Sequence, residues 1–150
     1  MILSNEEIVS FKDQIISIGC VCFGNLTESF INDVLSGNTV YRVFGSFENG
    51  LLTGFLILSV VSDEAEIIQV AVKNGFSRLG IGSSLVKDAV FFSMHNGVSE
   101  IFLEVRTSNE PAVRTYLKNG FEKVGARKSY YSDPVEDAVI MSRRCCGDCQ

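Results

Sequence analysis

"IFLEVRTSNEPAVRTYLKNGF", residues 101–121, changes its hydrophobic period part-way along. In the first half Ile101, Leu103 and Val105 share one strand face, while Phe102, Glu104 and Arg106 share the other. From Pro111 the spacing becomes helical, with Ala112, Val113, Tyr116 and Leu117 on one side. Ser108 or Asn109 can cap that helix, Pro111 is tolerated in its first turn, and Gly120 follows its end. A carboxylate inside an apolar strand should be paired or chemically employed. For Glu104, the segment alone leaves a surface pair with Arg106 and a functional role equally open. Tyr116 by itself reads as a core tyrosine.

Upstream, "IIQVAV" (67–72) is a strand that is largely apolar on both faces, as in a covered sheet. "FSRLGIGSSLVKDAV" (76–90) then sets Gly80 and Gly82 between that strand and an amphipathic helix with Leu85, Val86, Ala89 and Val90. Glycine costs about 0.5–1 kcal/mol in a regular element, so a backbone reason is required. The segment is not a dinucleotide fingerprint, because Leu85 stands where a third glycine would be. No Gly-Lys-Ser/Thr follows, which excludes a nucleotide P-loop. A strand-to-helix turn that aims N–H groups at a phosphate, with Arg78 as a nearby cation, remains as open as a plain tight turn. "HNG" (95–97) closes the helix, and His95 reads as a cap or surface residue.

Ser4 and Glu7 form a capping box that opens one helix reaching about Cys22, and a second short helix is predicted over 27–35. "TVYRVFGSF" and "LLTGFLILSVV" flank Asn49-Gly50, a hairpin signal. "FEKVGARKSYY" and "EDAVIMSR" read as a closing strand pair joined by "SDP". The order is ααβββαβαββ, an α/β unit with a mixed sheet. One domain spans 1–142, and a Cys-rich tail over 143–150 is expected to be unpacked.

With 150 residues, 46% hydrophobic and 21% charged, the chain reads as an ordinary globular protein. A net charge of −5 argues against nucleic-acid binding and is compatible with a cationic substrate. No apolar run is long enough for a membrane span and no basic leader precedes the first helix, so the expected location is cytoplasmic. Cys20, Cys22, Cys145, Cys146 and Cys149 lack partner histidines, and reduced thiols without a metal are expected.

Taken in order, "IIQVAV", "SRLGIGSSL", "IFLEVRTSNEPAVRTYLKNGFEKVGARKSYY" and "EDAVIM" resemble the GNAT acetyltransferase superfamily. Within it, the nearest resemblance is to the ribosomal-protein-alanine N-acetyltransferases. The resemblance covers about residues 50–142, and it implies a GNAT acyltransferase fold with a mixed, mostly antiparallel central sheet flanked by helices. The first 50 residues carry little of it, and the Pro-Trp often seen there is absent from a chain with no Trp.

That resemblance implies acetyl-CoA as cosubstrate and gives the glycines their reason. The family's pyrophosphate loop falls on 77–82, with main-chain donors from Arg78, Leu79, Gly80, Ile81, Gly82 and Ser83. Ser77 stands where Gln or Arg is usual, which implies weaker cofactor binding. Val70, Ala71 and Val72 would pair with the pantetheine arm through their main chain, Val72 lying near the thioester, and Asn109 would contact the cofactor beside its helix. Glu104 takes the place of the general base, acting through water, and Tyr116 that of the acid that reprotonates the departing thiolate. In water, that last transfer is uphill by about 2 kcal/mol.

Tyr130, Tyr131, Glu136 and Asp137 would wall the peptide groove. The implied acceptor is the basic N-terminus of a small-subunit ribosomal protein, beginning with alanine, attacked directly in a ternary complex. An α-amine near pKa 7.7–8.0 needs only a modest base, in contrast to lysine near 10.4. Other N-termini, lysine or a small amine, and a non-catalytic acyl-CoA-binding module, are the alternatives. A monomer or weak dimer is expected.

Overall fold

Asn49 and Gly50 take φ of 53° and 79°, the paired left-handed conformation of a two-residue hairpin turn. They join β1 (Tyr41–Glu48) to β2 (Leu51–Val61), and β2 turns back into β3 (Glu64–Val72). The computed structural model describes residues 1–23, 28–35, 40–77, 79–132 and 134–145. A helix, α4 (Ile81–Met94), carries the chain to β4 (Glu100–Arg106), and α5 (Glu110–Lys118) leads to β5 (Glu122–Tyr131) and β6 (Glu136–Arg144). The six strands form one sheet in the order β1-β2-β3-β4-β6-β5, in which only β3 and β4 run parallel.

Three helices precede the sheet: α1 (Asn5–Ser10), α2 (Lys12–Phe23) and α3 (Glu28–Leu35). The capping box at Ser4 and Glu7 forms as expected. The single N-terminal helix does not, because Phe11 leaves helical geometry at φ −102° and ψ 10°. Its ring packs against Phe47, 4.8 Å between centroids, which lets Ile8, Ile15 and Ile18 enter one core across the break. Thr27 and the "SGN" stop lie outside the described residues.

The sheet separates two cores. On one face Leu56, Leu58, Ile101 and Leu103 pack against Leu85, Val86 and Ala89 of α4. On the other, Phe55 and Ile57 pack against Ile15, Ile18 and Ile31. Each such side chain contributes about 1.5–3 kcal/mol on full burial. The fold also runs past the expected boundary at 142. Arg143 and Arg144 belong to β6, and Cys145 is buried in the α4-side core, because its N–H is tied to the Ser99 carbonyl at 2.8 Å. Positions 146–150 and the side chains of Cys20 and Cys22 lie outside the described residues. Among the described residues, no helix is long and apolar enough to cross a membrane, and no cluster of metal-ligating side chains occurs.

The parallel pair is short. β3 and β4 stay in register from Glu64 opposite Glu100 to Ile67 opposite Leu103, and then part. Beyond that point β3 pairs only with β2, while Glu104–Arg106 pair only with β6. A bulge marks the fork: Ile57 faces Gln69 and Leu58 faces Ile67, so Ile68 opposes no residue of β2. The expected strand 67–72 thus begins three residues earlier, at Glu64, because the acidic stretch after Asp63 joins the ladder.

Candidate active site

The fork between β3 and β4 opens a cleft of about 770 Å³. Its floor is the α4 N-terminus. Gly80 is the N-cap at φ 79°, a left-handed conformation that favours glycine, and no side chain caps the helix. The first-turn N–H groups of α4 are therefore left to a ligand or solvent. Gly82 has a different reason. A Cβ placed there would meet only Val72 Cγ2, at 3.8 Å, so the fold itself has room for a side chain. What glycine preserves is an open cradle at a helix N-terminus, a fit for a diphosphate.

Of the residues expected around the cofactor, Val70, Val72, Gly80, Ile81, Gly82, Ser83, Asn109 and Tyr116 line this cleft, as does Ser77. Ala71 turns its side chain into the α1–α3 core and leaves its main chain for the role expected of it. Leu79, expected as a main-chain donor, has a side chain that is 66% exposed and does not line the cleft. Val72 sits beside Gly82, at the glycine turn, and not at the end where Glu104 lies, because β3 runs from the fork toward α4. Arg78 lies outside the described residues. Asn109 also caps α5, its Oδ1 accepting from Ala112 N–H at 3.3 Å.

Tyr116, on the buried face of α5, is 9% exposed and packs edge-on to Phe121 at 5.8 Å. Burial, and then the neighbouring Tyr131, push its phenol up to about 12. It is a fully protonated donor at neutral pH, but a reluctant one. Relative to a free thiol near 8.5 the gap widens to about 5 kcal/mol, against the 2 kcal/mol expected in water. The same burial penalises a thiolate in the cleft and so narrows the gap again.

Glu104 is 15% exposed and lies where two clefts meet. The second, of about 370 Å³, is lined by Glu64, Glu66, Phe102, Arg127 and Ile140 among others, and Glu104 is the one described residue that lines both. The Glu104–Arg106 pair does not form. Glu104 pairs instead with Arg127 of β5, and the Tyr130 hydroxyl hydrogen-bonds to it. That hydrogen bond is the leading cause of a raised Tyr130 phenol. Tyr131 is pushed up to about 12 by burial and by Tyr130. Burial, then Glu104, raise the Glu66 carboxyl, and Arg127 opposes them.

Two carboxylates of the closing hairpin are engaged within the fold itself. Glu136 holds the β4–α5 loop, accepting from Thr107 Oγ1 at 2.9 Å and Ser108 N–H at 2.6 Å, and pairs with Arg106 at 3.3 Å. The hydrogen bonds from Ser108, then those from Thr107 and Arg106, lower its carboxyl to about 2. Asp137 Oδ1 accepts from Ser129 N–H at 2.7 Å, where Ser129 stands at φ 52°. Both carboxylates, expected in the peptide groove, are thus engaged in shaping the hairpin. Between Arg127 opposite Ala138 and Tyr131 opposite Glu136, β5 carries extra residues, and this irregularity brings Arg127 and Tyr130 to Glu104.

Sequence reasoning missed Arg127, Glu66 and Asn119. Glu66 stands in what reads as an acidic turn, and Arg127 in a strand whose bulge hides its partner. Asn119 joins the two helices at the cleft, donating to Ser83 Oγ at 3.1 Å while its carbonyl accepts from Arg143 at 2.6 Å. In the sequence its signal is no more than an asparagine at the helix end, just before Gly120.

A family model described as the acetyltransferase (GNAT) family matches residues 18–121. The ribosomal protein bS18-alanine N-acetyltransferase of Escherichia coli K12 is 36% identical over 104 residues, 68% of this chain and 70% of that protein. Its Salmonella typhimurium counterpart is 33% identical over 122 residues, 80% of this chain and 75% of that protein. The crystal structure of the ribosomal-protein-S18-alanine N-acetyltransferase from Escherichia coli superposes with a TM-score of 0.83 at 28% identity, covering 97% of this chain and 92% of that one. The forked sheet, the glycine cradle and a family model spanning most of the chain agree: this protein belongs to the GNAT acetyltransferase family and is an acetyl-CoA-dependent N-acetyltransferase.

Proposed function

We propose that the acceptor is a protein N-terminal α-amine, and specifically the N-terminal alanine of a small-subunit ribosomal protein, acetylated in the cytoplasm. The observation that carries this reading is Glu104, which lines the cofactor cleft and the second cleft at once. An amine entering from the second cleft meets a carboxylate whose other side borders the cofactor. An α-amine near pKa 8 is already partly neutral at pH 7, so Glu104, acting through a water, suffices as base. The names of the relatives point to the same acceptor.

Acetyl-CoA supplies the acetyl group as an activated thioester. The Gly80–Gly82 cradle and the α4 N–H groups would hold its diphosphate, and the main chain of Val70–Val72 its arm. Tyr116 Oη, kept protonated by burial, gives its proton to the leaving sulfur. The main-chain N–H that receives the thioester oxygen belongs near the bulge at Ile68, at the Glu104 end of the strand, and not at Val72.

Two forms of one short peptide beginning with alanine test the reading, one with a free N-terminus and blocked lysine, the other with the reverse. Turnover only of the free N-terminus is expected. Turnover only of the lysine form would overturn the acceptor assignment while leaving the family and cosubstrate in place.

A further inference from the structure

The second cleft carries three carboxylates, Glu64, Glu66 and Glu104, and one guanidinium, Arg127, among its described lining residues. Glu104 is the fixed member, 15% exposed, whereas the Arg127 side chain is 59% exposed on an edge strand and, among the described residues, is held by its ion pair and by Tyr130, 5.7 Å from the ring centroid. Glu66 lies opposite Phe102, two residues from Glu104 along β4, and on the same face. The charge of Arg127 is felt there, since it opposes the upward shift of the Glu66 carboxyl. A protonated α-amine arriving at Glu104 therefore finds a cation of its own kind already in place, with a second carboxylate beside it.

We infer that Arg127 is an internal stand-in for the acceptor's ammonium group. In the free enzyme its guanidinium occupies the acceptor position on Glu104, and when the acceptor enters, Arg127 passes to Glu66. The inference rests on the reading above, in which Glu104 faces the acceptor amine. Two cations crowded onto one carboxylate repel each other, so the exchange favours acceptor binding. Exchange is feasible because an ion pair with one well-exposed partner is weak. Glu66 is then a positioning residue that matters only while Arg127 is present. The arrangement also favours acceptors that arrive charged and can compete for a carboxylate, and disfavours neutral amides and hydroxyls.

Steady-state kinetics on the alanine peptide, with acetyl-CoA saturating, test this. Arg127→Gln is expected to lower the acceptor KM by about two- to five-fold, the size of a weak ion pair, with no change in the acetyl-CoA KM. Arg127→Lys, which keeps the charge, should stay near the wild-type KM. Glu66→Gln should raise the acceptor KM in the wild type and have much less effect in the Arg127→Gln background, a non-additivity that independent sites do not show. A higher acceptor KM in Arg127→Gln, or additive effects of the two substitutions, overturns the exchange. Glu104→Gln is the control for the underlying reading: retained turnover in that variant overturns both, as does a peptide that neither the wild type nor Arg127→Gln acetylates. A melting curve on each variant separates these outcomes from misfolding.

Discussion

Glu104 and Tyr116 stand in opposite surroundings. Glu104 borders two clefts, and Tyr116 is almost wholly buried. Glu104→Gln is expected to lower kcat by 10²-fold or more, the usual scale for a positioned base, in an acetyl-CoA consumption assay. Tyr116→Phe should cost a similar factor, while its buried ring keeps the core packed. Its phenol also has a thermodynamic signature. Folded near 12 and unfolded near 10, it binds its proton more tightly in the native state, so its contribution is complete below pH 10 and is lost as pH rises toward 12. Tyr131 contributes in the same window. Thermal unfolding across that range should show Tyr116→Phe losing less stability than the wild type. Both residues could be named from the sequence through the family pattern, but their electrostatic partners could not. Arg127 reaches Glu104 only across β6, a neighbour relation that no local periodicity records.

The two glycines of the α4 turn look alike in sequence and differ in structure. Gly80→Ala places a Cβ on a left-handed backbone and should lower stability by about 1–2 kcal/mol. Gly82→Ala has room for its methyl and should leave the melting temperature unchanged while raising the acetyl-CoA KM about ten-fold or more, since the methyl fills the cradle. A fall in melting temperature for Gly82→Ala would mean that the glycine serves packing after all. The hairpin makes the complementary case. Glu136 is depressed in the fold, so its contribution is present above about pH 4.5 and is lost as pH falls through 2. Glu136→Gln should flatten that acid limb and loosen the β4–α5 loop that it ties. Strand and helix existence was legible from alternation and caps. The break at Phe11 and the bulges near Ile68 and Ser129 were not, because each answers to packing or pairing with a distant strand.

At the scale of the molecule, the fork depends on how closely α4 lies on the sheet. A Cβ on Gly54 would stand 2.9 Å from the Ala71 carbonyl oxygen and 3.0 Å from Ile81 Cγ2. Gly54→Ala should therefore push α4 off β2 and β3 and destabilise the protein by about 1–3 kcal/mol, the range for overpacking, with a parallel loss of acetyl-CoA affinity. Unchanged melting and affinity would show that the fork has slack at that point. The overall order of elements was readable because most elements carry a start or a stop signal of their own. The site was readable as a set of positions but not as two clefts, since the fork arises from where β3 and β4 stop pairing. That fork also divides labour in heredity. On the function proposed above, grip on the cosubstrate falls to the cleft at the α4 N-terminus, choice of acceptor to the Glu66–Arg127 cleft, and the two share a single carboxylate, Glu104. Substitutions on the Glu66–Arg127 side would then change which amine is taken while the grip on the cosubstrate stays intact, which is how one scaffold could be retuned to a different client without first losing its trade.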